Sequence, residues 1–429
     1  MARTSRFLAP LMTLALLLSS AALVLPPQQV LAANEVWDVR MEFTANPTGG
    51  NWLEPNPLVF GSSATATTGF DGAPNDIVAP GAAPAPNDAY AYFTSSGSNC
   101  REERQPYLGP NPGDSLSWTL RLIADSAGAS SLNLDWGDIA SVASFPLDAS
   151  IVLSGGGQTI NMRTQQTATY SSGSNYTLTI TVTRLGTPDE VWVDDDWECG
   201  EPGVNGESVD VNGTSLVIGY DAFCDIQPAL DAVDSGATVH VLDGNYSAFN
   251  VTDNDVEVIG EEDWVYVRYC PLYASSLNGD YLAGIFANNV RLENLIFEGY
   301  DFSTCTLQAA VYCDNTTGTV LENLDIVDVR DDCSIGYGIY VTGGGNTVDI
   351  VNPSISGCNV GIYVYDDTVN VSGGYIVGSY GYASFCSTGV LADWDSSVTL
   401  SGTEIYNQYQ GAGTSPAPGT GPDPAGVGV

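Results

Sequence analysis

Residues 282–407 carry one short pattern that returns five times, and no other feature constrains the fold as tightly. The first copy reads Gly284-Ile285-Phe286-Ala287, then Val290-Arg291-Leu292-Glu293-Asn294-Leu295-Ile296-Phe297. The second reads Val311-Tyr312-Cys313, then Thr319-Val320-Leu321-Glu322-Asn323-Leu324-Asp325-Ile326. The remaining copies open on Gly338-Ile339-Tyr340-Val341, Gly361-Ile362-Tyr363-Val364 and Gly389-Val390-Leu391-Ala392. The leading aliphatics Ile285, Val311, Ile339, Ile362 and Val390 stand 26, 28, 23 and 28 residues apart, and Asn294, Asn323 and Asn352 stand 29 and 29 apart.

Self-similarity at such a period signals stacked units. Each unit contains short stretches of period-2 alternation broken by Gly, Asn, Asp and Thr, and none contains a helical stripe. A single unit cannot bury its own apolar side. Coiling the units on one another joins the inward Ile, Val and Leu into one core and gives every strand partners above and below. The pattern therefore predicts a parallel β-helix. Asn294, Asn323 and Asn352 are expected to form an internal amide ladder at a bend.

Upstream of the repeats, Tyr220-Asp221-Ala222-Phe223-Cys224-Asp225-Ile226-Gln227-Pro228-Ala229-Leu230-Asp231-Ala232-Val233 places Ile226, Leu230 and Val233 at helical spacing, a short helix suited to cover the open end of the stack. Gly236-Ala237-Thr238-Val239-His240-Val241, Gly244-Asn245-Tyr246 and Val256-Glu257-Val258-Ile259-Gly260 follow. This order, together with the repeats, resembles the entry segment and coils of the pectin-lyase-like right-handed parallel β-helix superfamily over residues 189–407. The resemblance implies a fold that hosts lyases, hydrolases, esterases, adhesins and surface proteins, so it does not choose a function. Polygalacturonase-like members carry Asn-Thr-Asp, an Asp pair, Gly-His-Gly and Arg-Ile-Lys. Here His240 is the sole histidine and Lys is absent. The esterase-type Asp-Phe-Ile-Phe-Gly segment is also missing. Lyases of the group use Ca²⁺ on acidic residues with Arg or Lys as base, and Arg330-Asp331-Asp332 is the candidate trio for that chemistry.

Before the repeats, residues 34–186 show simple strand alternation. Trp37, Val39, Met41 and Phe43 face one way, Leu116, Trp118, Leu120 and Leu122 repeat the pattern, and Tyr176, Leu178, Ile180 and Val182 alternate with Thr. Such spacing predicts an antiparallel β-sandwich. The Pro/Ala stretch 72–88 reads as a loop. The expected organisation is all-β: export signal 1–33, sandwich 34–186, right-handed parallel β-helix 189–409 with an N-terminal capping helix, and a Pro/Gly-rich linker or disordered tail 410–429. That tail suggests a further C-terminal domain or a surface anchor. The signal rests on Arg3 and Arg6, the apolar run 7–25 and the small residues before Asn34. It predicts a secreted, extracellular or cell-surface protein without direct membrane insertion.

The formal charge is −40, and all 11 basic residues are Arg. Such a surface repels nucleic acid and anionic membranes and attracts divalent cations. In an exported chain the nine Cys favour disulfides. Cys305 and Cys333 fall at the same corner of neighbouring coils, roughly 5 Å apart, and are one expected pair. Cys199 with Cys224, near the cap, is the other, and Cys100 is left unpaired or intermolecular.

Two alignments across the coils point to function. Residues following the inward aliphatics, Phe286, Tyr312, Tyr340 and Tyr363, point outward as an aromatic ladder on which sugar rings pack, although Tyr also suits strands for structural reasons. Asp366 and Asp367 align with Asp393 and Asp395, a corner that reads first as a solvated acidic turn and second as a Ca²⁺ site. Asp194-Asp195-Asp196 is a weaker candidate of the same kind. The expected function is a non-catalytic module for an extracellular polysaccharide or cell-surface glycan, or an adhesion or structural module. The alternative is a Ca²⁺-dependent lyase or a glycosidase acting on uronic-acid polymers.

Overall fold

The computed structural model describes residues 36–46, 57–79, 89–124, 131–171, 173–199, 205–268, 281–299, 308–329, 336–377 and 388–406. All of them lie in the unit Ala32–Val429. They form an all-β protein with a parallel β-helix.

In the N-terminal part, alternation buries Val39, Met41 and Phe43 of the strand Trp37–Asn46. This strand changes partners midway: Trp37 to Met41 pair with Leu58–Ser62, and Glu42 to Asn46 pair with Ser131–Asp135. Eleven strands are linked through it into one sheet around one core, as in a sandwich. The core is built on large rings. Trp37 meets Trp118 at 5.7 Å and Phe145 at 4.9 Å, and Phe60 meets Trp118 at 5.2 Å.

Two details depart from the sequence expectation. Leu58–Ser62 and Ser98–Gln105 pair in parallel, with Phe60 opposite Glu103, because a crossover and not a hairpin joins them. Within the expected loop, Ile77–Val78 adds a short antiparallel strand to Ser98–Gln105.

The helix domain repeats a three-strand coil. The strands belong in turn to a nine-stranded, a seven-stranded and a six-stranded parallel sheet. Equivalent residues Arg291, Val320, Asp349, Asn370 and Thr399 of the nine-stranded sheet are in register, at intervals of 29, 29, 21 and 29 residues. The short coil joins Ser354–Ser356 directly to Val360–Tyr365 through three residues, where other coils have nine or ten, and most of the length difference falls at that junction between the seven- and six-stranded sheets. Inside, Ile, Val, Leu and Phe297 form one continuous core. The coil is narrow. A Cβ on Gly338 would stand 2.5 Å from the Gly361 carbonyl oxygen, and one on Gly361 would stand 2.6 Å from both the Gly389 oxygen and Ile376 Cγ2.

The bend from the nine- to the seven-stranded sheet is made by Asn294, Asn323 and Asn352, with φ of 56°, 53° and 51°. Asn tolerates this left-handed conformation better than other side chains with a Cβ. The Asn323 amide donates to Asn294 Oδ1 at 3.1 Å and the Asn352 amide to Asn323 Oδ1 at 3.0 Å. The ladder therefore exists, but on the outside: Asn323 and Asn352 are exposed.

The capping helix is Ile226–Leu230, with the Asp225 carboxylate accepting from the Ile226 N–H. Pro228 sits in its first turn, where a missing N–H removes no helix bond. Ile226, Ala229 and Leu230 enter the solenoid core, and Val233, beyond the helix end, is buried as well. A disulfide joins Cys199 to Cys224 beside this cap.

One buried side chain ties the N-terminal core to the segment that precedes the solenoid. Arg163 donates to the carbonyl oxygens of Ala149, Pro146 and Leu147 near the N-terminal core and to that of Gly206, which leads into the hairpin Ser208–Val211/Thr214–Val217.

Candidate functional site

The six-stranded sheet turns its outer face into an aromatic strip. Tyr312, Tyr340, Tyr363 and Leu391 are in register on successive coils. Tyr340 lies 5.3 Å from Tyr312 and 5.0 Å from Tyr363 between ring centroids. Three of the expected outward rings thus form a column.

The fourth, Phe286, is displaced by two residues. Tyr312 faces Gly284, and Ile285 faces Cys313, so the first Gly-Ile-aromatic copy is not the structural equivalent of the later ones. At the Gly284 rung the ring comes from Tyr281: a Cβ there would meet Tyr281 Cε2 at 2.5 Å and Phe286 Cε2 at 2.7 Å. Tyr281 stacks on Tyr312 at 5.1 Å and 11°, and Phe286 leans against both.

Sequence reasoning also missed Tyr337, which stacks on Tyr363 at 4.9 Å and 18° and touches Tyr340 at 5.1 Å. Strict alternation sends residues three apart to opposite faces. Here Gly338 and Ile339 are both buried between the two tyrosines, which brings both rings outside. Tyr365 and Trp394 extend the strip at one edge, 5.8 Å apart, with Trp394 75% exposed.

Electrostatically the strip is poor in charge for a chain of net −40. The strands of this sheet contain no Arg, and their carboxylates are Asp314 and Asp393, at one end of their strands. Burial, then the Asp314 carboxylate, push the Tyr312 phenol up to about 12. Burial also raises Tyr337 and Tyr363. These phenols stay neutral hydrogen-bonding groups at any physiological pH.

No family model matches this chain, and no curated protein or solved structure matches it.

The acidic corner does not assemble as four converging carboxylates. Asp366, Asp393 and Asp395 are exposed, whereas Asp367 turns inward and is 3% exposed. Its Oδ1 accepts the Asn346 N–H at 2.8 Å, and Asn346 Oδ1 in turn accepts the Thr316 N–H, a polar column along the inner corner. Asp194 accepts the N–H of Asp196 in a local turn, and Asp195 accepts the N–H of Asn245 on the next coil strand. Among the described residues, no three His, Cys, Asp or Glu side chains are grouped to hold a metal ion.

Arg330, Asp331 and Asp332 lie outside the described residues, as do Cys305 and Cys333. Cys199 and Cys224 are bonded as expected, and Cys100 is a buried thiol without a disulfide, pushed up to about 12 by burial. The sole histidine, His240, stacks on Trp192 at 4.4 Å with Nδ1 2.6 Å from Glu261, away from the aromatic strip on the nine-stranded sheet. The solenoid's other described cations are engaged: Arg268 with Glu298 and the Tyr266 ring, Arg291 with Glu293 and Glu322.

Proposed function

We propose that this protein is a non-catalytic extracellular module of the pectin-lyase-like kind that docks a polysaccharide on the six-stranded sheet. The observation that carries this reading is the concentration of tyrosines, with Phe286 and Trp394, on one charge-poor face of an otherwise strongly acidic chain. Rings of this kind combine apolar area with a hydrogen-bonding tip, which suits a ligand of C–H faces and hydroxyls. The disulfide beside the cap fits an oxidising compartment. Among the described residues no helix is long and apolar enough to cross a membrane.

The test is retention on immobilised polysaccharides, neutral and uronic, for the parent protein and for Tyr340→Ala/Tyr363→Ala. Retention by the parent, lost in the double variant at unchanged circular dichroism, supports docking on this face. Equal retention of both sinks it. The same incubations distinguish the enzymatic alternative: polymer shortening that a chelator abolishes returns attention to Arg330, Asp331 and Asp332 and to Ca²⁺.

A further inference from the structure

The geometry points to a neutral, extended polysaccharide that lies along the solenoid axis, one sugar residue per coil. This rests on the docking reading above and adds the ligand's charge and direction.

Charge weighs against the acidic alternative. A uronic-acid chain needs cations, and the strands of the six-stranded sheet supply none. Arg268 and Arg291 sit on the other two sheets and are held by Glu298, Glu293 and Glu322. Asp314 and Asp393 border the strip, and the whole chain carries −40. An anionic polymer approaching this face meets repulsion with no compensating Arg on its strands among the described residues. The same repulsion opposes pairing of two copies through this face.

Direction follows from the register. The column Tyr312, Tyr340, Tyr363, Leu391 repeats once per coil, and Tyr281 fills the rung at Gly284. Parallel strands repeat at about 4.8 Å, close to the length of one pyranose in an extended, equatorially linked chain. A ligand along the axis therefore meets a ring or an apolar side chain at every coil. A ligand along the strands instead passes from Tyr337 over Tyr340 and ends against the polar corner after one strand's length.

Ring orientation sets the kind of contact. Tyr281 with Tyr312, and Tyr337 with Tyr363, are stacked pairs, so each ring hides one face against its partner. The strip offers ring rims and phenol hydroxyls, which both donate and accept. Phe286 at one end, 36% exposed, and Leu391 at the other, 39% exposed, add apolar surface. A polyhydroxylated neutral chain matches this alternation of hydroxyl and hydrocarbon.

The test is calorimetric titration of the protein with cello-, manno- and xylo-oligosaccharides of two to six residues, and with oligogalacturonates of the same lengths. At least one neutral series is expected to bind with affinity that climbs with each residue to about five, the number of rungs, and then levels off. Tyr340→Ala, at the middle rung, is expected to weaken the pentasaccharide about tenfold. Levelling at two or three residues overturns the axial direction. Preference for oligogalacturonate overturns neutrality. A pentasaccharide bound equally by parent and Tyr340→Ala overturns the placement. If no oligosaccharide binds and no polymer is retained, the docking reading itself fails, a separate result.

Discussion

The two cores of this molecule use aromatic rings in opposite ways. In the N-terminal part Trp37, Phe60, Phe93 and Trp118 are at most 2% exposed and touch one another. In the solenoid the interior is aliphatic over most of its length, and Tyr281, Tyr312, Tyr337, Tyr340 and Tyr363 stand outside. The cause is room. A sheet folded over itself leaves a layer that bulky rings fill, whereas a coil of three short strands is pinched until Gly338 and Gly361 cannot accept a Cβ. Rings inside the first part hold it together. Those on the second contribute little to its core and stack on one another along the outer face.

This contrast is open to attack by substitution. Trp118→Ala removes a fully buried ring and should cost about 3–5 kcal/mol, read as a lower denaturant midpoint of the N-terminal core. A cost under about 1 kcal/mol would mean that the rings there are not what holds it.

Next in size is a pH effect confined to the same core. Glu103, opposite Phe60 on the parallel pair, is 4% exposed, and burial raises its carboxyl to about 7 from 4.5. A raised carboxyl favours the protonated folded form. Its contribution is complete below pH 4.5 and is lost as pH rises through about 7, on the order of 3 kcal/mol in all. Thermal melts of Glu103→Gln across this window should lack that slope, and an unchanged slope would assign it elsewhere. The smallest effect belongs to the solenoid: Tyr340→Ala should shift stability by less than about 1 kcal/mol. A loss as large as that of Trp118→Ala would erase the contrast.

Alternation and period made the coil stack legible before any coordinates. They showed which aliphatics point inward, because a slip of one residue would expose the whole apolar set. A slip of two residues preserves the faces, and that is where the reading failed. Gly284-Ile285-Phe286 looks like Gly338-Ile339-Tyr340, yet Gly284 faces outward opposite Tyr312, while Gly338 packs against the Gly361 carbonyl inside. Corner residues obey no alternation at all. Nothing in the string separates Asp367, turned in beneath Asn346, from its exposed neighbour Asp366. Partner choice in the N-terminal sheet was equally hidden, since Leu58–Ser62 is buried along its whole length and its residues carry no mark of direction.

The uneven coils have an engineering consequence. Arg291, Val320, Asp349, Asn370 and Thr399 keep their register although one interval is 21 residues and the others 29. The scaffold therefore accepts three residues in place of nine or ten at the junction between the seven- and six-stranded sheets without loss of register. Foreign segments grafted at that junction would line up along a straight edge of the solenoid, spaced by one strand separation, like teeth on a comb whose back is already built.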